Sequence, residues 1–214
     1  MKFELSSLAQ MRAFAEVLAK HLRAGDLLIL SGNLGAGKTT FTQSLGRALG
    51  VAGRITSPTF VIAREHPSRS HGPALVHVDA YRLSDAEELG DLDLDSELEE
   101  SITVVEWGEG VAEQLSSDYL GLTITPMFSL GEEPDRDASA GTDADNQGQD
   151  SGEDEDAIED ERRIVELHGH GATWDERWPR LSDSIRTEAA VGPNVAGAAG
   201  DVDTAVAADE RDNT

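Results

Sequence analysis

The chain has 214 residues, no cysteine and a formal net charge of −25. This length accommodates one domain with a sizeable core or two small ones, and the lack of cysteine excludes disulfides, thiolate zinc sites and a cysteine nucleophile. Lysine and arginine form no cluster along the sequence, which argues against direct binding to nucleic acid.

The negative charge is concentrated in two stretches. Residues 131–161 carry fourteen acidic residues and one arginine, residues 190–214 carry five and one, and the remainder has a net charge of −8. Both stretches are poor in large apolar residues, so they cannot bury enough surface to fold. We interpret them as a disordered insertion, 131–161, and a disordered tail, 188–214; an acidic docking segment or nucleic-acid mimic is the alternative.

The N-terminal residues predict a helix rather than a targeting segment. They lack the apolar core of a signal peptide, and no run approaches membrane-spanning length, so we expect a cytoplasmic protein with no membrane contact. Ser7 and Gln10 form a capping-box pattern. Apolar residues follow it at helical spacing: Leu8, Met11, Phe14, Ala15, Leu18 and Leu22.

The next stretch reads as strand, glycine-rich loop and helix. An apolar run at 27–30 leads into GNLGAGKTT at 32–40, and the following helix is predicted to end at Gly50. Glycines let such a loop wrap a phosphate chain with its N–H groups, Lys38 reaches the β- and γ-phosphates, and Thr39 ligates Mg²⁺. The sequence thus predicts a nucleoside triphosphate site formed by Asn33, Leu34, Gly35, Ala36, Gly37, Lys38, Thr39 and Thr40.

Two apolar strands are predicted to end in carboxylates. Residues 74–78 are followed by Asp79, and residues 102–105 are followed by Glu106. Asp79 is placed as a Walker-B acid that holds Mg²⁺ directly or through water, and Glu106 as a metal ligand or an orienter of water. The alternative for both is a strand-end residue that caps the next turn.

Other segments allow two interpretations each. The hydroxyl-rich loop 56–59, beside a proline, is either a switch that closes on a γ-phosphate or an ordinary turn. Trp107 either stacks on a base or partner or fills the core. Ser84 with Glu87 predicts a short helix, and Thr173 with Glu176 predicts the start of a last helix. That last helix carries one apolar face: Trp174, Trp178, Leu181 and Ile185.

Alternation of strands and helices predicts an α/β protein with the P-loop NTPase fold. We expect a mostly parallel sheet flanked by helices, with ligands at the carboxyl ends of the strands. Two later strands, 120–124 and 164–167, have a non-helical connection and predict an antiparallel extension. The prediction is a single ATPase domain made of residues 1–130 and 162–187.

Five motifs together resemble the bacterial TsaE family, the small ATPase of tRNA threonylcarbamoyladenosine synthesis. In order and spacing they are GNLGAGKTTF (32–41), TSPTF (56–60), HVDAYRL (77–83), EEL (87–89) and VEWGE (105–109). The resemblance implies that Thr39 and Glu106 hold Mg²⁺ with Asp79 nearby, and that Trp107 and the loop 56–59 lie at the nucleotide and partner surface. It also implies that Arg162 or Arg163 approaches the nucleotide, and of the two we predict Arg162 as the residue that binds it.

The resemblance implies a partner-stimulated ATPase with ATP and Mg²⁺ as cofactors and the proteins TsaD and TsaB as partners. Members hydrolyse ATP to reset that complex and transfer no group themselves, and the partners hold the tRNA. Two other hypotheses remain open on the residues alone. One is a small-molecule kinase, and the other is a module in which bound ATP orders a docking surface without turnover.

Overall fold

The structure, a computed structural model, describes residues 1–57, 63–83, 86–90, 95–127 and 161–189. Its strands are β1 Lys2–Leu5, β2 Leu27–Ser31, β3 Ala63–His66, β4 Ala74–Asp79, β5 Ser101–Glu106, β6 Tyr119–Pro126 and β7 Arg163–His170. Its helices are α1 Leu8–Ala19, α2 Lys38–Leu49, α3 Ala86–Gly90, α4 Asp95–Glu100 and α5 Ala172–Glu188, with a 3-10 turn at Ala112–Gln114. Among these helices none is long and apolar enough to cross a bilayer.

The strands form one seven-stranded sheet in the order β1-β7-β6-β2-β5-β4-β3. The four central strands, β6, β2, β5 and β4, are parallel to one another. The outer strands pair antiparallel, β3 with β4 at one edge, and β7 with β6 and then β1 at the other. The predicted α/β fold with an antiparallel extension is therefore confirmed, with antiparallel strands at both edges.

The core lies on both faces of this sheet. On one face, α1, α2 and α5 bury Phe14, Phe41 and Trp174 against the strands. On the other face, Ile29, Val78 and further apolar residues pack with Leu89 of α3. Strands β2 and β5 are buried along their whole length, as expected for central parallel strands covered on both sides.

Two of the predicted helix ends are confirmed and one is wrong, while Ser84, predicted to cap the short helix, lies outside the described residues. The Ser7 hydroxyl accepts from the Gln10 N–H at 3.3 Å, and α2 ends at Gly50 with φ of 71°. Helix α5, however, begins at Ala172, with Gly171 as its N-cap residue and no side-chain cap. The predicted cap at Thr173 is wrong, because its N–H donates to Asp118 Oδ1 at 2.7 Å from inside the first turn.

Candidate functional site

The loop between β2 and α2 is held open by glycines with left-handed backbone. Gly32, Gly35 and Gly37 have φ of 135°, 76° and 105°, which side chains rarely adopt. A Cβ at Gly32 would lie 2.2 Å from the Ile124 carbonyl oxygen, whereas one at Gly35 would meet nothing within 4 Å. Glycine at 32 therefore lets the loop pass directly against β6, and glycine at 35 and 37 suits the positive φ of the backbone there.

Lys38 is folded back over this loop. Its Nζ donates to the carbonyl oxygens of Gly32 at 2.7 Å and Asn33 at 3.0 Å, and lies 3.4 Å from the centroid of the Trp107 ring. The residue is only 5% exposed. Burial lowers the pKa of Lys38, and the carboxylates of Glu106 and Asp79 oppose that shift. Among the described residues Lys38 forms no ion pair, so the site holds a buried cation without an anion in contact.

Glu106, at the end of β5, is the polar centre of the site. It is 2% exposed, and its Oε2 accepts from the Thr39 hydroxyl at 2.7 Å. Its Oε1 lies 3.0 Å from Thr42 Oγ1 and 2.8 Å from His77 Nε2. These contacts join the first turns of α2 to the ends of two neighbouring strands. The carboxylate is therefore fixed in orientation, with one oxygen turned to the phosphate-loop threonine.

Asp79 lies beside Glu106 in register, at the end of the neighbouring strand β4. Its Oδ2 accepts from the Ser57 hydroxyl at 2.8 Å, and its Oδ1 accepts from the Tyr81 N–H at 3.1 Å. The turn-capping interpretation thus describes one of its oxygens. The other oxygen ties the strand end to the hydroxyl-rich loop, of which Pro58 and Thr59 lie outside the described residues.

Trp107 occupies a backbone conformation that is uncommon for a bulky residue, with φ of 62°. Its N–H donates to the Leu30 carbonyl at 2.9 Å, and its ring lies 5.0 Å from that of Tyr81, centroid to centroid. Beside it is a cavity of about 370 Å³ lined in part by Asn33, Glu109 and Thr125. The aromatic pair therefore borders both Lys38 and open space next to the phosphate loop.

The two arginines that precede the last strand differ in position. Arg163 Nε donates to the Ala36 carbonyl at 3.2 Å and so supports the phosphate loop from β7. The Arg162 carbonyl accepts from the Met127 N–H at 3.0 Å. The role predicted for the Arg162 side chain at the nucleotide stays a prediction.

The structure brings Lys38, Thr39, Asp79, Glu106 and Trp107 together at the carboxyl end of the parallel strands. The remaining loop residues, 33–37 and 40, surround them, with Leu34 at the tip and 88% exposed. Three residues at the site were not predicted from the sequence: His77, Thr42 and Tyr81. The spacing was informative for two of them: His77 lies two residues before Asp79 on a strand, and Thr42 lies one helical turn after Thr39.

The residues at this site fit Mg²⁺ and a polyphosphate. The fit rests on the buried, anion-free ammonium of Lys38 and on a threonine hydroxyl 2.7 Å from a buried carboxylate. No group of three or more His, Cys, Asp or Glu within the described ranges is arranged to hold a metal by itself. Mg²⁺ does not require one, since it is usually bound by one or two protein ligands together with phosphate oxygens and water.

Comparison with known proteins identifies the family. A family model described as "Threonylcarbamoyl adenosine biosynthesis protein TsaE" matches residues 5–130. The chain belongs to the TsaE family. This match spans the phosphate loop and both strand-end carboxylates, and therefore includes Lys38, Asp79 and Glu106.

Relatives named "tRNA threonylcarbamoyladenosine biosynthesis protein TsaE" come from several bacteria. The one from Streptomyces coelicolor is 64% identical over 115 residues, which are 53% of this chain and 78% of that protein. The one from Bacillus subtilis is 36% identical over 125 residues, 58% of this chain and 77% of that protein. Among solved structures, the crystal structure of Bacillus subtilus YdiB aligns with a TM-score of 0.57 and 25% identity, covering 86% of this chain and 94% of that one.

Proposed function

We propose that the chain is the Mg²⁺-dependent ATPase subunit of the TsaD–TsaB complex that modifies tRNA with threonylcarbamoyladenosine. The observation that carries the proposal is the contact between the Thr39 hydroxyl and the buried Glu106 carboxylate at 2.7 Å. It joins the residue that ligates Mg²⁺ in a phosphate loop to a strand-end acid. Membership of the TsaE family supports the assignment to tRNA modification.

The contacts described above indicate what the residues of the site would do when ATP binds. Lys38 would exchange the carbonyls of Gly32 and Asn33 for β- and γ-phosphate oxygens, which accept its charge more strongly. Thr39 and Glu106 would hold Mg²⁺, with Asp79 reaching it through water. The ion would neutralise negative charge on the phosphoryl group that is transferred. His77 and Thr42 would keep the Glu106 carboxylate in place while Thr39 turns toward the ion.

The surface at the mouth of the site supports dependence on a protein partner. The exposed large apolar residues of the described chain are Leu34, in the phosphate loop, and Tyr81, whose ring lies beside that of Trp107, and they are 88% and 67% exposed. Aromatic and large apolar side chains are the usual anchors of protein interfaces. A partner that covers them would also exclude water from the nucleotide, which strengthens the electrostatic contacts there.

The test is phosphate release from ATP and Mg²⁺ by the chain alone and with its cognate TsaD and TsaB proteins. We expect release to rise when both partners are present, and Lys38→Ala and Glu106→Ala to lower it at least 100-fold because each removes charge stabilisation of the transition state. Lys20→Ala, at an exposed ion pair just after α1, is the matched control and should keep wild-type release.

Other outcomes would assign a different function to the same loop. ATP consumption that rises with a metabolite rather than with the proteins would indicate a small-molecule kinase. Tight ATP binding without release under any partner condition would indicate a module that only docks. Wild-type release by Glu106→Ala would contradict the role given to that carboxylate.

A further inference from the structure

Four exposed arginines line two adjacent cavities away from the phosphate loop. A cavity of about 440 Å³ is bordered by Arg47, Arg54 and Arg69, and a second of about 370 Å³ is bordered by Arg54 and Arg64. The two cavities share Gly53 and Arg54 and are therefore neighbours, and we call them together the arginine groove.

Backbone contacts between distant segments assemble this groove. The Arg69 N–H donates to the Gly50 carbonyl at 3.1 Å, and the Ala52 N–H donates to the Pro67 carbonyl at 2.8 Å. Residues 50–52 after α2 are thereby fixed against the loop between β3 and β4. Arginines that are scattered in the sequence consequently share one surface, which is why no basic cluster is visible along the chain.

The charge of the arginine groove is not neutralised within the described part of the chain. Its four guanidinium groups form no ion pair there, whereas Lys2, Lys20 and Arg177 each contact a carboxylate. Glu65 is the single acidic residue that borders either cavity. In a chain with a net charge of −25, four unpaired arginines at one place make a local surface that attracts anions.

The composition of the groove favours a nucleic-acid backbone over a protein surface. Protein interfaces are anchored by aromatic and large apolar side chains, but the exposed large apolar residues of the described chain, Leu34 and Tyr81, lie at the nucleotide site instead. Nucleic-acid interfaces are more polar and more positively charged, and the arginine fork binds phosphate in a bidentate manner. The groove offers no Phe, Tyr or Trp on which a base would stack.

We propose that the arginine groove binds the phosphodiester backbone of a folded RNA, without reading its sequence. This goes beyond the expectation that only the partner proteins hold the tRNA. The choice of tRNA as the RNA rests on the proposed function. The acidic insertion joins the sheet at β6 and β7, and the nearer of these, β6, lies four strand positions from β3, or roughly 19 Å. The insertion is therefore attached toward the edge of the sheet opposite β3.

The test is binding of a fluorescently labelled, unmodified tRNA transcript to the full chain, followed by anisotropy as salt is varied. The groove variant replaces Arg47, Arg54 and Arg69 by glutamine. The matched control replaces three exposed arginines on α1 and α5, Arg12, Arg180 and Arg186, by glutamine, which changes the net charge equally. We expect the groove variant to bind tRNA at least tenfold more weakly than wild type. The slope of its log affinity against log salt concentration should be smaller by about 2, because phosphate contacts are lost. The affinity of the control variant should stay within twofold of wild type.

Three results would overturn the proposal: equal weakening in both variants, no binding of tRNA by the wild type at low salt, or groove-dependent binding of a polyglutamate peptide without binding of tRNA. Thermal melting of each variant verifies that it is folded. ATP affinity, measured in parallel without RNA, separates this proposal from the proposed function. Loss of tRNA binding with intact ATP affinity locates the effect in the groove, while failure of the wild type to bind ATP would count against the ATPase assignment alone.

Discussion

Glu106 shows how much of this site depends on single polar atoms. A carboxylate that is 2% exposed is costly to bury unless its oxygens are satisfied, and here Thr39, Thr42 and His77 satisfy them. Each contact orients the carboxylate as well as stabilising it. At the residue scale the site is therefore preorganised, because its central acid is already fixed by neighbours on α2 and β4.

Trp107 allows a prediction about stored backbone strain. With φ of 62°, a residue with a Cβ is disfavoured relative to glycine by about 1 kcal/mol. We therefore expect Trp107→Gly to be more stable than Trp107→Ala by about that amount in urea unfolding, although both lose the contacts with Lys38 and Tyr81.

A helical position, at which a glycine variant is normally less stable than an alanine variant, provides the control for this comparison. At the exposed helical position Ala48, replacement by glycine should cost about 1 kcal/mol, which is the opposite order. A more stable alanine variant at position 107 would mean that the left-handed conformation is not retained.

His66 predicts a pH dependence of stability. Burial lowers its pKa below the ordinary value of 6.5, its hydrogen bond to the Ala52 carbonyl acts in the opposite sense, and His77 and Arg64 add to the lowering. Between the lowered pKa and 6.5 the unfolded chain binds more protons, so the free energy of unfolding falls as the pH drops through this window. Above 6.5 the neutral ring contributes its full stability.

We expect His66→Gln to remove part of this slope, up to about 1.4 kcal/mol per pH unit for one proton. The measurement is urea unfolding of wild type and variant between pH 5 and 8, roughly the range in which histidine titrates. The exposed His71→Gln is the control and should keep the wild-type slope. An unchanged slope in His66→Gln would assign the dependence to other groups, such as His21 and His168, whose pKa values are also lowered by burial.

At the scale of elements, one buried ion pair attaches α5 to the segment before β2. Arg177 Nη1 and Nη2 contact the Asp26 oxygens at 2.6 Å and 2.8 Å, and the Arg177 guanidinium lies 3.9 Å from the Trp174 ring centroid. Asp26 is 4% exposed. The bidentate geometry fixes the final helix against the sheet even though more than a hundred residues separate the partners.

Breaking this pair should destabilise the fold strongly. Arg177→Gln leaves a buried carboxylate with one fewer charged partner, at a cost of about 3 kcal/mol. The exposed pair Lys20–Glu188, with a similar distance of 2.8 Å, is the matched comparison, and Lys20→Gln should cost less than about 1 kcal/mol. Chemical denaturation measures both, and comparable losses would contradict the assignment of burial as the deciding factor.

The elements predicted from sequence were those with long apolar periodicity or clear caps. Helices α1 and α2 and strands β2, β4, β5, β6 and β7 fall where the pattern places them. Strand β1 and helix α4 were not predicted, since four to six residues carry too little periodicity. The β1 pairing depends on Val165 opposite Phe3, a contact that no local pattern specifies.

At the scale of the molecule, the two ends of the acidic insertion meet in one antiparallel ladder. Pro126 pairs with Arg163, and the Met127 N–H donates to the Arg162 carbonyl at 3.0 Å. The predicted insertion lies outside the described residues except for Glu161, whose side chain accepts from the Leu8 N–H at 3.3 Å. Helix α5 extends to Glu188, and Ala189 is buried, so the folded part reaches just past residue 187. We propose that residues 1–130 and 162–187 form a single domain.

Removal of residues 131–160 tests this proposal. Because the flanking strands are already paired, we expect the shortened chain to fold, to gain up to about 2 kcal/mol from the smaller loop-closure cost, and to bind ATP as the full chain does. Calorimetric titration and thermal melting measure these effects. A variant with the same insertion residues in scrambled order is the control. A tenfold loss of ATP affinity on removal of the insertion would show that it belongs to the nucleotide site.

The phosphate loop, its position between a strand and a helix, and the two acids that end apolar strands could all be predicted before the fold was known. Local spacing encodes these features, because each depends on neighbours a few residues apart. Only the tertiary structure decided that His77 and Thr42 hold Glu106, that Arg163 reaches Ala36, and that arginines of separate segments share one groove. Those contacts join residues far apart in the chain, and they depend on strand register and helix packing rather than on any local pattern.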